Sequence, residues 1–146
     1  MAINFQAEDI DFPKIIKKRE TANWIKSVAG NHGKKVKDIS YIFCSDDKIL
    51  KINQQYLKHD FYTDIITFDY SEDDTISGDI FISLDTVLSN SQKYQTLYNE
   101  ELHRVIIHGI LHLCGVNDKN DADAKLMRKE EDNALQMLDN QSTKDN

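Results

Sequence analysis

Apolar residues recur along this chain in two rhythms, and each rhythm names an element. "INF" near the start, "ISYIFCS", "DIITFDY" and "GDIFIS" are short runs rich in β-branched and aromatic residues, which read as four strands. After the first run, Ile15, Ile16, Arg19, Ala22, Ile25 and Ala29 repeat near helical spacing, widened by Trp24 and Val28. This predicts a helix with Pro13 near its first turn, stopped by Gly30 and Gly33. Ser45 ahead of Asp46 and Asp47 is a good N-cap for a second helix, "DDKILKINQQYL". A third helical stretch runs from Leu84 to Tyr94. Asn99 can cap a fourth, "EELHRVIIHGILHLCG", which ends at Gly115, a residue suited to a left-handed terminus. Asn120 or Asp121 caps the last, an amphipathic helix through about Leu138.

The third and fourth strands are joined by the acidic loop "SEDDTIS", so a meander is the simplest connection between them. Strands interleaved with helices, followed by a helical C-terminal third, predict an α+β domain. It has a small mixed four-stranded sheet packed with about five helices. The domain should span residues 1–139, with 140–146 as a polar, frayed tail.

Composition narrows the picture. A chain of 146 residues, 40% hydrophobic and 29% charged, suits one soluble globular domain. No apolar run approaches the ~18 residues that cross a bilayer, so a cytoplasmic protein is expected. Cys44 and Cys114 sit alone in hydrophobic settings, "YIFCS" and "LHLCG", where buried thiols fit better than a bridge. The net charge of −7 argues against a general nucleic-acid coat protein. The mean conceals an asymmetry, however. From Phe12 to Lys37, Lys14, Lys17, Lys18, Arg19, Lys26, Lys34, Lys35 and Lys37 stand against Glu20 alone, whereas from Lys58 to Asp85 eight acids face one lysine. A basic N-terminal third is therefore available to a polyanion.

The chemistry concentrates in "HGILHLCGVND". At 100° per residue His108 and His112 lie 40° apart round a helix, so both imidazoles project from one face. Gly115 turns the chain back three residues later, and Asp118 follows at the reach of a third ligand. These offsets are those of the metzincin zinc helix, His-Glu-x-x-His-x-x-Gly-x-x-His, with aspartate in the last position. Core packing explains the pattern poorly, because each buried histidine would need its own partner. Gly109 stands where a zinc protease carries its catalytic glutamate, so a peptidase would lack its base. His103, about 140° round the helix from His108, is expected at the surface or as an outer support of the site. Met127 is expected in the core.

The same residues resemble the YbeY-type rRNA maturation factors, whose signature is His-Gly-x-Leu-His-Leu-x-Gly-Tyr-Asp-His. "HGILHLCG" fits its first eight positions. "INQQYLKHDFYTDIITF" is similar to the family's Leu-Asn-x-x-Tyr-Arg…Thr-Asp/Asn-Val-Leu-Ser-Phe region, and "SGDIFIS" to its Gly-Asp-Ile strand. The resemblance implies a cytoplasmic, single-strand-specific metallo-endoribonuclease acting in 16S rRNA 3′-end maturation and ribosome quality control. Its partners would be single-stranded RNA and the small ribosomal subunit, with no DNA and no membrane. Its metal would be one Zn2+ per chain on His108, His112 and Asp118, other divalent ions being possible.

Two departures from the family matter. Asp118 replaces the usual third histidine, which keeps a suitable ligand but makes the ion a weaker Lewis acid. Leu57 replaces an arginine thought to contact phosphate; Lys58, His59 and Arg104 are candidate substitutes. Arg104, one turn before His108, could aim a guanidinium fork at a phosphate, or pair with Glu100 or Glu101. No general base is evident. The main alternative is a non-catalytic assembly factor with structural zinc, weakened by the count of three ligands where structural sites use four. A metzincin-like protease is the second alternative.

Overall fold

In the computed structural model, which describes residues 2–57 and 63–144, the four strands form one mixed sheet in the order β1-β2-β4-β3. β1 (Ala2–Ala7) pairs in parallel with β2 (Lys35–Cys44), and β2 in parallel with β4 (Thr75–Ser83). β3 (Ile65–Asp69) closes the far edge antiparallel to β4, as a meander requires. The helices are α1 (Lys18–Asn31), α2 (Asp46–Ile52), α3 (Leu84–Lys93), α4 (Tyr98–Leu113) and α5 (Asp121–Lys144). The predicted α+β class with five helices is what the chain adopts.

Local chemistry sets most boundaries. The Ser45 hydroxyl accepts from the Lys48 N–H and caps α2, which runs into a π-helical turn at Asn53–Leu57. Gly33 follows α1 at φ 72°, and Gly115 follows α4 at φ 99°, where an L side chain would be strained. The Asn120 side chain accepts from the Asp123 N–H at 2.8 Å and starts α5.

Three boundaries differ from the sequence pattern. α1 begins at Lys18 rather than near Pro13, because the core claims the segment before it. Ile16 is buried and Phe12 sets its ring edge-on to Phe43 at 5.6 Å, while the Ile16 N–H closes a turn on the Pro13 carbonyl. α4 is entered through Leu97, with no side-chain cap. Asn99 lies inside its first turn, and its carbonyl accepts from Nδ1 of His103. α5 continues past Leu138 to Lys144, and Gln141 ties it to α1 by donating to the Glu20 carbonyl at 3.0 Å.

The core lies between the sheet and α1, α4 and α5. Trp24, fully buried, donates from its indole to the Ala134 carbonyl at 2.7 Å and joins α1 to α5. The Tyr41 hydroxyl donates to the Ile106 carbonyl at 2.8 Å and fixes α4 against β2. Met127 is in the core, as expected. Both cysteines are free; Cys44 is buried and its thiol is pushed up to about 12, chiefly by burial. Cys114 is partly buried against the core. No helix among the described residues is long and apolar enough to cross a membrane.

Candidate metal and RNA pocket

α4 is the element that shapes the site. From Leu102 to Leu113 every residue is buried except Arg104, His108 and His112, which follow one another at i, i+4 and i+8. A helix buried on nearly all sides thus leaves open one polar line of side chains. This line faces a pocket of about 470 Å³ whose other walls come from β3 and its approach (Thr63, Asp64, Ile65), from Asp118 after the Gly115 turn, and from Arg128 and Glu131 of α5.

His108 sits between two carboxylates. Its Nδ1 donates to Glu131 Oε2 at 2.7 Å, and its Nε2 lies 3.5 Å from Asp118 Oδ2. The second separation is long for a hydrogen bond. It is close to the roughly 3.3–3.6 Å expected between two donors that each lie about 2.0–2.2 Å from one tetrahedral ion. With Nδ1 protonated toward a carboxylate, Nε2 presents its lone pair, the arrangement that metal-binding histidines usually have. The donor chemistry of His108 and Asp118 therefore fits a divalent ion. The third predicted ligand, His112, lines the same pocket and is exposed. Among the described residues, no group of three or more His, Cys, Asp or Glu is arranged to hold an ion as it stands.

Burial alone would lower the His108 pKa, but the Glu131 hydrogen bond and charge, with Asp118 and Asp64, outweigh it and leave it raised. Asp64 is raised mainly by burial, with the His108 charge pulling the other way. Glu101 is also raised by burial, against the opposing charge of Arg104.

Arg104 lines the pocket, but its guanidinium is turned to acids. Nη1 donates to Glu131 at 3.0 Å and Nη2 to Asp132 at 2.7 Å, while Glu100 lies 3.9 Å away. Arg128 is an exposed cation on the same wall. His103 corrects the sequence expectation: it is only 8% exposed, packed against the Trp24 ring at 5.8 Å, because α1 covers that side of α4. Leu57 ends the π-helical turn, while Lys58 and His59 lie outside the described residues.

Gly109 has a packing reason. A Cβ there would lie 3.1 Å from Ile80 and 3.2 Å from Ile65, so α4 rests directly on β4 and β3. A larger side chain here would have to displace both isoleucines, and the glycine itself lacks the carboxylate base that a metzincin-like protease needs.

Asp64, Arg128 and Glu131 escape sequence reasoning. Arg128 and Glu131 are lost among the five consecutive charges of Arg128 to Asp132, Asp64 is a single acid ahead of a strand, and only the return of α5 and the edge of β3 bring them to His108. The faint signal in retrospect is the spacing of Glu131 and Asp132, adjacent acids on the side of α5 that faces α4.

The fold and pocket together define an α+β protein whose histidine-bearing helix opens at the edge of a mixed sheet. A model of the family described as endoribonuclease YbeY matches residues 2–139, and the chain belongs to that family. Among its relatives, endoribonuclease YbeY of Parabacteroides distasonis is 62% identical over 94% of this chain and 96% of its own. That of Phocaeicola vulgatus is 60% identical, covering 93% and 98%, and that of Bacteroides thetaiotaomicron 57%, covering 94% and 99%. The solution structure of TM1509 from Thermotoga maritima superposes with a TM-score of 0.72 at 25% identity, over 99% of this chain and 93% of that one. Membership of an endoribonuclease family disfavours both the non-catalytic and the protease alternatives.

Proposed function

We propose that this protein cuts single-stranded RNA by metal-assisted hydrolysis of a phosphodiester bond, in 16S rRNA 3′-end maturation and ribosome quality control. It would act in the cytoplasm on the small ribosomal subunit. The observation that carries the reading is the polar line Arg104–His108–His112 on an otherwise buried helix, with both histidines and Asp118 lining one pocket. His108, His112 and Asp118 would hold the ion, which we take to be zinc, with the exposed His112 completing the set. When bound, such an ion supplies Lewis-acid polarisation of the phosphoryl group and acidifies the attacking water.

The chain's own residues supply the rest. Asp64, a carboxylate with a raised pKa on the pocket wall, is placed to accept the proton of the attacking group, whether water or the 2′-hydroxyl. Arg128 is open to a phosphate. The Arg104 fork is held by Glu131 and Asp132 and is not assigned to the substrate. The acidic pocket does not itself attract RNA, so the basic stretch from Lys14 to Lys37 is assigned to the polyanion.

The test is metal content of the purified protein together with cleavage of single-stranded RNA, comparing wild type with His112→Ala. Wild type should carry zinc and cut RNA, and the variant should lose both. Zinc without metal-dependent cleavage, on ribosomal substrates as well, would turn the reading toward an assembly factor with structural zinc.

A further inference from the structure

A buried carboxylate is costly unless both oxygens are engaged, and Glu131 of α5 is only 6% exposed. Its oxygens are divided between two residues of α4. Oε2 accepts from Nδ1 of His108 at 2.7 Å, and Oε1 accepts from Nη1 of Arg104 at 3.0 Å. Arg104 is itself fixed from the other side by Asp132 at 2.7 Å. From this geometry we propose that Arg104 and Glu131 are positioning residues. Arg104 clamps Glu131, Glu131 holds the His108 ring with its proton on Nδ1, and Nε2 is thereby kept free for a metal ion on the pocket side. The inference rests on the metal-site reading above and adds to it two residues that touch neither ion nor substrate.

A neutral imidazole ring has one N–H and one lone pair, and which nitrogen carries the proton is set by the partner of the other. A carboxylate at Nδ1 can only accept, so it selects the Nδ1–H form, and its charge makes Nε2 a better donor to a metal. The Arg104 fork holds the other oxygen of Glu131 and so orients the carboxylate toward the His108 ring, while Asp132 keeps the fork in place. An ion pair serving only to join α4 to α5 would need Arg104, Glu131 and Asp132 but not the histidine. The state of the His108 ring separates the two roles.

The experiment uses the full chain and two readouts. The His108 tautomer is read in metal-free protein by long-range proton–nitrogen NMR at about pH 9, above the ordinary imidazole range. Zinc affinity is read by competition with a chromophoric chelator. Wild type should show Nδ1–H. Glu131→Met should give a mixture of tautomers and a roughly 10–100-fold loss of zinc affinity, with Glu131→Gln, which retains an acceptor, lying between. Arg104→Met should lose less, and nothing further when added to Glu131→Met, because the two act through one chain of contacts. A folded Glu131→Met protein with Nδ1–H and wild-type zinc affinity overturns the proposal. If that variant does not fold, wild-type values in both Glu131→Gln and Arg104→Met overturn it equally. His112→Ala separates the two readings: if it binds zinc like wild type, the site assignment fails; if it loses zinc while Glu131→Met does not, only the positioning role fails.

Discussion

In the run from Lys58 to Asp85, which holds eight acids, Asp64 is set apart by withdrawal of water from its carboxyl and by the nearby charge of His108. Asp64→Asn keeps the size and removes the proposed proton acceptor. Cleavage should fall by about 10²–10⁴-fold, while RNA affinity stays level or rises, since one negative charge leaves the pocket. Single-turnover cleavage and a binding titration check this, and an unchanged rate would make Asp64 a spectator. Legibility at this scale followed the helix period. His108 and His112 could be placed on one face, and Asp118 beyond a glycine turn, from spacing alone. Asp64, Arg128 and Glu131 could not, because their approach to His108 depends on tertiary folding that no local pattern encodes.

At the level of elements, the contact of α4 with β3 and β4 controls how deeply the histidines sit. Gly109→Ala should therefore destabilise the fold by about 1–3 kcal/mol, despite alanine's higher helix propensity, because Ile80 and Ile65 confine the new methyl from two strands. Urea unfolding measures it; a variant more stable than wild type would mean the isoleucines yield freely. Element types were readable from periodicity, and their ends less so. Pro13 and Ile16 carry a helix-like pattern, yet burial of Ile16 and the Phe12 contact with Phe43 hold that segment as a turn. The polar composition after Leu138 reads as a tail, but the hydrogen bond from Gln141 to α1 extends the helix.

For the molecule as a whole, His103 couples stability to acidity. Burial, against the opposing hydrogen bond to Asn99, lowers its pKa in the folded state, whereas the unfolded chain titrates near about 6.5. The folded protein binds fewer protons here, so this contribution is present above about pH 6.5 and lost as pH falls below it. His108 is shifted the other way, so the useful comparison is between proteins. The urea midpoint of His103→Phe should fall less between pH 7.5 and 5.5 than that of wild type, and equal slopes would show that His103 protonates freely in the fold. A mixed four-stranded sheet was legible from the order of elements. Its strand order was not, because nothing local says that β4 enters between β2 and β3.

That order has a practical consequence. β1 and β3 form opposite edges, about three interstrand spacings or roughly 14 Å apart, and the pocket opens beside β3. A fusion partner or an immobilising linker attached ahead of Ala2 is therefore separated from the pocket by the full width of the sheet, leaving its mouth clear for a bulky ligand.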